Sequence, residues 1–308
     1  MFKKIFLLFK IGRKLAKSGA LNIISENYNI PKPIKVFFLI LGFNLKNTDQ
    51  DKKTDSGKRL CNSLQEMGTT FIKLGQFLST RPDIIGEKLA QDLEMLQDKL
   101  PPFNKAEASE ILKKELGKNI FTQITNFSEP VAAASIAQVH FANVTLDGAK
   151  KDIAIKILRP SIQKVFNEEL DALMLLAYII ENLVTKTKRL KLVEVIHLLR
   201  EITNIEMDLR FEAAAANELY ENTKSDIGFN VPKIYWNFTT NNILTLDKVE
   251  GISVRENEKL IENGIDIKKI SKNLIQHFLR QAVRDGFFHA DMHQGNIFID
   301  NSGQIVPI

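Results

Sequence analysis

The feature that most constrains the fold is a change of hydrophobic period near residue 120. Before this point apolar residues recur at helical spacing over Gly57–Leu100 and again over about Lys105–Leu116. After it come three short, partly alternating runs rich in β-branched residues, at Ile124–Pro130, Gln138–Thr145 and Asp152–Leu158. The first third of the chain is therefore predicted to be helical, and the three runs are predicted to form an antiparallel β-meander.

The later elements complete an α+β pattern. Turn residues at Leu146–Gly148 join the last two runs of the meander. Two helical and two strand-like patterns come next, followed by a final helix, at Gln163–Val184, Leu192–Tyr220, Lys233–Asn237, Asn242–Val249 and Ile267–Asp285. We therefore expect an α+β fold class.

Composition excludes several classes of protein. The chain has 308 residues, of which 44% are hydrophobic, so it is long enough for two lobes with cores of their own. Its single cysteine, Cys61, rules out an internal disulfide framework and fits a reducing compartment such as the cytosol. The longest apolar runs, Val36–Phe43 and Ala172–Ile180, fall short of the roughly 20 residues of a membrane-spanning helix.

The N-terminus combines positive charge with apolar residues at helical spacing. Its first twenty residues contain no acidic side chain and six basic ones, Lys3, Lys4, Lys10, Arg13, Lys14 and Lys17. On a helical wheel most of these fall in one arc beside Phe2, Ile5, Phe6 and Phe9. One interpretation is a surface anchor attracted to acidic lipids, and the other is a helix that packs its apolar side on the protein.

The most informative motif is the string from Phe288 to Asn296, which a strand-like run follows at Ile297–Asp300. Within it, His289-Ala290-Asp291 and Asn296 reproduce the H-x-D-x-x-x-x-N spacing of kinase-like catalytic loops. In such loops the Asp receives or orients the substrate hydroxyl proton, and the Asn holds Mg²⁺. Asp291 is therefore the candidate catalytic residue and Asn296 the candidate metal ligand.

Two other interpretations of this string remain open. It is a polar loop with hydrogen-bonded histidines in the first. In the second, His289 and His293 are metal ligands four residues apart, although no third ligand is evident.

A lysine on the third run of the meander is the candidate nucleotide contact. Asp152–Lys156 resembles the V-A-I-K pattern, whose lysine contacts the α- and β-phosphates of a nucleotide. Glu212 lies on a downstream helix, where kinase folds place the carboxylate that pairs with this lysine. We therefore predict an ion pair between Lys156 and Glu212.

An alanine-rich loop is predicted between the first two runs. It contains Ala132, Ala133, Ala134 and Ser135, where typical kinases place a glycine-rich loop over the phosphates. Each added Cβ restricts the backbone and its approach to phosphate, so this loop should bind nucleotide differently from a glycine loop. The alternative is a packing turn made of small residues.

Two further short motifs are unlike those of ordinary kinases. Lys73, Gly75 and Gln76 form a K-x-G-Q string on a helix, where Gly75 permits close packing. Glu206 and Asp208 form an E-x-D pair just before Glu212. Each match is short enough to arise by chance.

Together, in this order, the motifs resemble those of the UbiB family of atypical kinase-like proteins. The resemblance implies a protein-kinase-like fold with an N-terminal helical extension, a β-meander small lobe and an incomplete helical large lobe. The corresponding domains are a basic amphipathic segment at 1–50, the extension at 51–120, the small lobe at 121–250 and the start of the large lobe at 251–308. The K-x-G-Q and E-x-D residues are implied to cover the active site.

The resemblance also implies a function. It predicts an ATP-binding phosphotransferase or ATPase that uses ATP or ADP with Mg²⁺ and supports ubiquinone biosynthesis. Expected partners are nucleotide, an acidic membrane surface, and ubiquinone-biosynthesis proteins or lipid intermediates, with no nucleic acid. The expected location is cytoplasmic and peripheral at the inner membrane. Two alternatives are a small-molecule kinase of the aminoglycoside or choline type and an inert nucleotide-binding remnant.

The sequence departs from the family pattern at its end. The family continues with a D-F-G motif after the strand that follows Asn296, whereas this sequence ends at Ile308. The resemblance therefore implies a chain truncated before that motif, so that a second Mg²⁺ ligand, an Asp, is missing.

Overall fold

The computed structural model describes residues 2–17, 56–96, 100–146, 148–183 and 185–308. These residues form two compact units. The first draws on residues up to Pro101, Ala134–Ile136 and Pro160–Asn204, and the second on Pro102–Ala133, Ala137–Arg159 and Ile205–Ile308. The apolar run Val36–Phe43 and the rest of residues 18–55 lie outside the described residues.

Eleven α-helices are present in the described part of the chain. In order they are α1 (Phe2–Lys17), α2 (Ser56–Met67), α3 (Thr69–Ser79), α4 (Pro82–Ile85), α5 (Glu87–Glu94), α6 (Lys105–Phe121), α7 (Ile162–Leu183), α8 (Leu192–Glu206), α9 (Leu209–Thr223), α10 (Asn257–Glu262) and α11 (Ile267–Arg280). A π-helical turn, Gln281–Asp285, extends α11, and short 3₁₀ turns occur at Thr185–Leu190 and Trp236–Phe238.

The described strands form two antiparallel sheets. The first, which we call the meander sheet, contains β1 (Ile124–Thr125), β2 (Pro130–Ala133), β3 (Ala137–Leu146), β4 (Ala149–Leu158) and β5 (Ile243–Asp247). The second, the loop sheet, contains β6 (Gly251–Ser253), β7 (Ile297–Asp300) and β8 (Ile305–Pro307). The predicted α+β class is confirmed.

The first unit is helical. Helices α2, α3 and α5 pack on one another around buried Leu64, Phe71, Ile72 and Leu93. Positive φ angles at Gly68 (103°) and Gly86 (84°) separate consecutive helices, since the left-handed region is accessible to glycine at no steric cost. None of the helices in the described residues is both long enough and apolar enough to cross a membrane.

Helix α1 packs against α7 and α2 of the same unit. Ile11 is buried, Leu7 and Leu8 are half-buried, and Lys14 Nζ donates a hydrogen bond to the carbonyl oxygen of Glu66 (3.4 Å). One apolar side of the amphipathic helix therefore packs on the protein.

The second unit contains the meander sheet and helix α6. Strand β3 pairs with β1, β2 and β4, and β4 also pairs with β5. The core lies between this sheet and α6, because Leu112 and Leu116 of the helix pack with buried Ile153, Ile155 and Ile157 of β4. Removing this apolar surface from water stabilises both elements by about 25 cal/mol per Å².

Helix α6 ends later than its sequence pattern predicts. The expected helix stops at Leu116, and Gly117 does leave the helical region, with a φ of 75°. A further turn, however, continues to Phe121 after this kink, with Ile120 and Phe121 packed on the same core.

Three predicted elements are wrong in detail. The run Ile124–Pro130 is not one strand, since only Ile124–Thr125 pairs with β3 there and Pro130 begins β2. The run Lys233–Asn237 contributes only an isolated bridge from Ile234 to Leu246 before the 3₁₀ turn. The pattern Leu192–Tyr220 is divided between α8 and α9, because Met207 and Asp208 interrupt it.

The remaining predicted elements are confirmed within one to three residues at most ends, among them α7, β3, β4, β5 and β7. The turn between β3 and β4 uses Gly148 at a φ of 78°, while Asp147 lies outside the described residues. Helix α11 with its π-helical turn spans the predicted Ile267–Asp285, and Gly286 (φ 65°) ends it.

A second core in the same unit supports the loop sheet. Ile297 and Ile299 of β7 pack with Ile305 of β8, Ile270 of α11 and Leu219 of α9. Beside this core, the buried ring of His277 on α11 stacks on Phe229, with centroids 4.9 Å apart. Burial lowers the pKa of His277 below its usual 6.5, with a smaller effect in the same direction from Arg280.

This buried histidine makes stability depend on pH. Because its folded-state pKa is lowered, the unfolded chain binds the proton more readily once the pH falls below about 6.5. The associated stability is complete above pH 6.5 and is lost as the pH falls through the folded-state pKa. We expect the thermal unfolding midpoint to fall between pH 7.5 and 5, and to fall less in His277→Phe, which keeps an aromatic ring against Phe229. Equal pH dependence in both proteins would contradict this assignment.

Candidate active site

Strand β4 places Lys156 on the face of the sheet opposite its isoleucines. Residues alternate between the two faces of a strand, so burying Ile155 and Ile157 under α6 directs Lys156 away from that core. Lys156 pairs in register with Val139 on β3 and Leu244 on β5. It therefore lies on an interior strand. This strand is the fourth along the chain rather than the predicted third, because the first predicted run is divided into β1 and β2.

Glu212 on α9 binds this lysine. The Nζ of Lys156 donates to both carboxylate oxygens of Glu212, at 2.8 and 2.7 Å. Helix α9 packs on β5, the strand next to β4, which brings the carboxylate to the lysine. The predicted ion pair is confirmed. The side chains remain 28% and 48% exposed, so solvent screens the pair and its contribution to stability is small.

The alanine-rich segment is more ordered than a simple loop. Ala132 and Ala133 belong to β2, which pairs with β3 through a bulge between Pro130 and Ala132. The predicted loop is therefore shorter than expected, and Ala134–Ile136 forms the actual connection. Its nucleotide role stays a prediction.

Ser135 holds this connection in place. It is fully buried, and its carbonyl oxygen accepts a hydrogen bond from Thr69 Oγ1 at 3.0 Å. Thr69 is the first residue of α3, the helix that carries the K-x-G-Q residues. Within the first unit, this helix is thus bonded to the end of the alanine-rich segment.

The catalytic-loop candidates lie between the π-helical turn and β7. Asn296 Nδ2 donates to the Asp291 carbonyl oxygen (3.1 Å) and to its Oδ2 (3.0 Å). Further backbone bonds join His293 N to the Asp291 carbonyl and Asn296 N to the His293 carbonyl, both at 3.0 Å. Asp291 and Asn296 are therefore brought together, with the Asp291 side chain 75% exposed.

The two histidines of the loop are hydrogen-bond acceptors for its backbone. His289 Nδ1 accepts from Asp291 N (3.3 Å), and His293 Nδ1 accepts from Gly295 N (2.9 Å). Both rings then carry any neutral-state proton on Nε2. No group of three or more His, Cys, Asp or Glu side chains placed to hold a metal occurs in the described residues. The geometry thus favours loop-forming histidines over the alternative metal ligands.

The loop does offer the donor type that Mg²⁺ prefers. Asn296 uses its amide nitrogen on Asp291, which leaves its amide oxygen as a ligand. Mg²⁺ usually takes one or two protein oxygens and fills its octahedron with water and phosphate oxygens. Asn296 and the exposed carboxylate of Asp291 fit this requirement in kind.

Two side chains outside the predicted set hold the start of the catalytic loop and the π-helical turn before it. Gln281, fully buried, accepts a hydrogen bond from His289 N at its Oε1 (3.4 Å). Arg284 donates to both carboxylate oxygens of Asp226 (2.8 and 2.9 Å) and to Asp285. The Arg284 hydrogen bonds lower the pKa of Asp226, which stays charged near neutral pH.

The remaining predicted residues lie on helices. Lys73, Gly75 and Gln76 are on α3 in the first unit, with Gly75 buried and the other two half-buried. Glu206 is the half-buried last residue of α8, and Asp208 is the N-cap of α9. Their role as an active-site cover stays a prediction.

Residues 95–308 match the ABC1 atypical kinase-like domain. The chain belongs to that family. The ABC1 family match contains the Lys156–Glu212 pair and the catalytic loop, and it places the α+β architecture described above within a protein-kinase-like fold.

Relatives within the ABC1 family extend the similarity to the N-terminal helices. Proteins named probable protein kinase UbiB are 37% identical over 279 residues in Marinobacter nauticus and 34% identical over 301 residues in Cellvibrio japonicus. These alignments cover 90% and 97% of this chain but 50% and 53% of the relatives. The chain thus spans about half the length of the relatives it matches.

A solved structure from Mycobacterium tuberculosis supports the fold. The complex of Rv3197 with erythromycin aligns with a TM-score of 0.51 and 26% identity, covering 82% of this chain and 63% of that one.

Sequence reasoning missed the residues that support the site. Gln281 lies one turn after His277 on α11, and both are polar residues on a helix face that turns out to be buried. Their i, i+4 spacing, which places both side chains on one face of the helix, was the only sequence pattern that linked these two residues. Thr69 and Arg284 carry no sequence signal of this kind, because their partners Ser135 and Asp226 are distant in the sequence.

Gly75 provides a test of packing in the K-x-G-Q helix. A Cβ built at this position would overlap Leu96 Cδ1 and lie 2.9 Å from Leu64 Cδ1. Gly75→Val should therefore lower the free energy of unfolding by about 2 kcal/mol, as overpacking of a core does. Asn62→Val, which adds an equally branched side chain at an exposed position of α2, should cost much less. Equal losses by denaturant unfolding would exclude close packing as the reason for the glycine.

Proposed function

We propose that this chain binds ATP or ADP with Mg²⁺ and takes part in phosphoryl transfer or ATP hydrolysis. The observation that carries the proposal is the two-oxygen ion pair between Lys156 and Glu212, in a chain that also contains an H-x-D-x-x-x-x-N loop. The family match and the named kinase relatives support the same assignment.

In this proposal each residue has a defined task. Glu212 holds the ammonium group of Lys156 in one position, from which it binds the α- and β-phosphates and offsets their charge. Asp291 accepts or orients the proton of the attacking hydroxyl or water, and its exposed carboxylate is accessible for this. Asn296 supplies an oxygen ligand to Mg²⁺, which when bound neutralises phosphate charge.

The alanine-rich segment is proposed to lie against the phosphates. Ala132–Ala134 offers backbone N–H groups, but its Cβ atoms and its pairing with β3 limit how closely the backbone follows a phosphate. Separately, the cover that the family resemblance implies for the K-x-G-Q residues supports an activity directed to a small molecule or to water rather than to a protein side chain.

Binding of Mg-ATP by the intact chain tests the proposal. Glu212→Gln removes the charge that positions Lys156, so the affinity for ATP should fall about tenfold, whereas affinity for adenosine should change little. The matched control is Glu221→Gln, since Glu221 lies on the same helix and pairs with Lys224 at the surface (2.6 Å). Calorimetry or a fluorescent nucleotide gives the dissociation constants. If wild type fails to bind ATP, or both variants bind it equally, the nucleotide site is wrong.

We further propose that this activity supports ubiquinone biosynthesis. The support is the name UbiB carried by relatives at 34% to 37% identity, together with the K-x-G-Q and E-x-D strings. The ubiquinone content of cells that depend on this chain, compared with cells carrying Asp291→Asn, is the measurement that bears on it.

A peripheral membrane location at the cytoplasmic face of the inner membrane is proposed from α1. Ile5, Phe6 and Phe9 remain exposed although Ile11 is packed on the protein, and Lys10 and Arg13 are exposed beside them. Such a surface combines apolar insertion with attraction to acidic headgroups.

Vesicle binding tests this location. Lys10→Glu combined with Arg13→Glu should reduce binding to phosphatidylglycerol vesicles about tenfold or more, since each basic residue near an acidic surface contributes about 1 kcal/mol. The control pair Lys268→Glu and Lys269→Glu removes the same charge from exposed positions on α11. Raising the salt concentration should weaken wild-type binding. Similar sedimentation of both variants would contradict a role for α1.

A further inference from the structure

The break between α8 and α9 falls four residues before Glu212. Sequence periodicity predicts a continuous helix here, yet α8 ends at Glu206 and α9 begins at Leu209. Asp208 between them has extended backbone angles (φ −118°, ψ 95°), and its N–H donates to the carbonyl of Ile205 (3.2 Å). Its neighbours Met207 and Leu209 are almost fully buried, and this packing holds the chain in the non-helical conformation.

Asp208 caps the first turn of α9. Its Oδ1 accepts from the backbone N–H of Arg210 at 3.1 Å, satisfying one of the helix's unpaired donors. The Arg210 guanidinium also donates to both carboxylate oxygens, from Nε at 2.9 Å and from Nη2 at 2.6 Å. These bonds lower the pKa of Asp208, so the cap is charged at neutral pH.

The start of α9 and the end of β4 are bonded to the same short segment. Leu209 N donates to the carbonyl oxygen of Asn241 (2.9 Å), and Leu158 N donates to that of Asn242 (3.0 Å). Leu158 ends β4, the strand that carries Lys156. The capped end of α9 and the end of the strand that carries Lys156 are therefore bonded to two adjacent residues, Asn241 and Asn242.

Where α9 begins determines where Glu212 lies. Each helical residue rotates the side-chain direction by about 100° and advances it by about 1.5 Å. A helix continuing through Met207 and Asp208 would therefore present Glu212 at a different angle and height. The observed break instead directs it to Lys156.

We propose that Asp208 is a positioning residue for the nucleotide lysine, acting by capping α9 so that Glu212 reaches Lys156. This rests on the proposed nucleotide site. Both carboxylate oxygens of Asp208 are occupied by Arg210, which favours capping over direct contact with nucleotide or metal.

Substitutions that separate capping from charge test the proposal. Asp208→Asn keeps a capping oxygen and loses the charge, whereas Asp208→Ala loses both. Asp208→Gly removes the oxygen but tolerates the cap backbone, so it serves if the alanine variant does not fold. Each is made alone and with Glu212→Gln, and dissociation constants are measured for Mg-ATP and for adenosine.

The expected result is specific to the phosphates. Asp208→Ala should weaken ATP binding about fivefold and Asp208→Asn about twofold or less, with Asp208→Gly between the two because glycine is the better cap, and adenosine binding should be unchanged. In the Glu212→Gln background the Asp208 substitution should add little to the loss of ATP affinity, because the carboxylate that Asp208 positions is already absent. An Asn variant as damaging as the Ala variant, or additive losses, would overturn the proposal.

A nucleotide-free measurement separates this proposal from the proposed function. The distance from Lys156 Nζ to the Glu212 carboxylate, read from nucleotide-free crystal structures of Asp208→Ala and Asp208→Asn, needs no ligand. Loss of the ion pair in Asp208→Ala but not in Asp208→Asn sustains the positioning role even if wild type fails to bind ATP, which would defeat the proposed function alone. An intact pair in Asp208→Ala would refute the positioning role whatever the nucleotide affinity.

Discussion

Burial of one face of β4 is the constraint on which the candidate site depends. The isoleucines of this strand are fully buried against α6, and strand alternation then leaves Lys156 on the other face. An isolated lysine there would be an ordinary solvated side chain. It becomes a fixed cation because β5, packed beside β4, also packs on α9 and brings Glu212 within hydrogen-bonding distance. The pair adds little stability because both side chains are partly exposed, so its main effect is to hold Lys156 in one position.

The catalytic loop is held differently, by polar contacts rather than by a core. Its histidines accept hydrogen bonds from backbone N–H groups, and the Asn296 side chain donates to both the carbonyl and the carboxylate of Asp291. The buried amide of Gln281 accepts from His289 at the start of the loop, and the charged cluster around Arg284 fixes the π-helical turn that precedes it. Such contacts are directional, so they define atom positions that non-directional apolar packing would leave loose. They also leave the Asp291 carboxylate exposed, as proton transfer to a reactant requires.

Helix α1 packs one apolar side on the protein and leaves other apolar residues exposed. One side packs on α7 and α2 of its own unit through Ile11, while Phe6 on another side is 72% exposed. A helix with apolar residues on more than one side can be bound to the protein and still present an apolar, basic surface. Packing of α1 on the protein is a property of the described structure, whereas its attraction to acidic lipids is a proposal.

The sequence by itself determined the elements whose signals are local. Strand alternation located β3 and β4, the spacing of Asp291 and Asn296 identified the loop, and motif order indicated the family. The tertiary structure alone decided where α8 ends and how Ser135, Asp208 and Gln281 are bonded. The pattern across Leu192–Tyr220 is periodic, but burial of Met207 and Leu209 and the bond from Leu209 to Asn241 break it, because long-range contacts outweigh helix propensities of less than about 1 kcal/mol per residue. For the same reason Asp208, which in the sequence is half of a short acidic pair, acquires a cap's geometry only once the chain has folded.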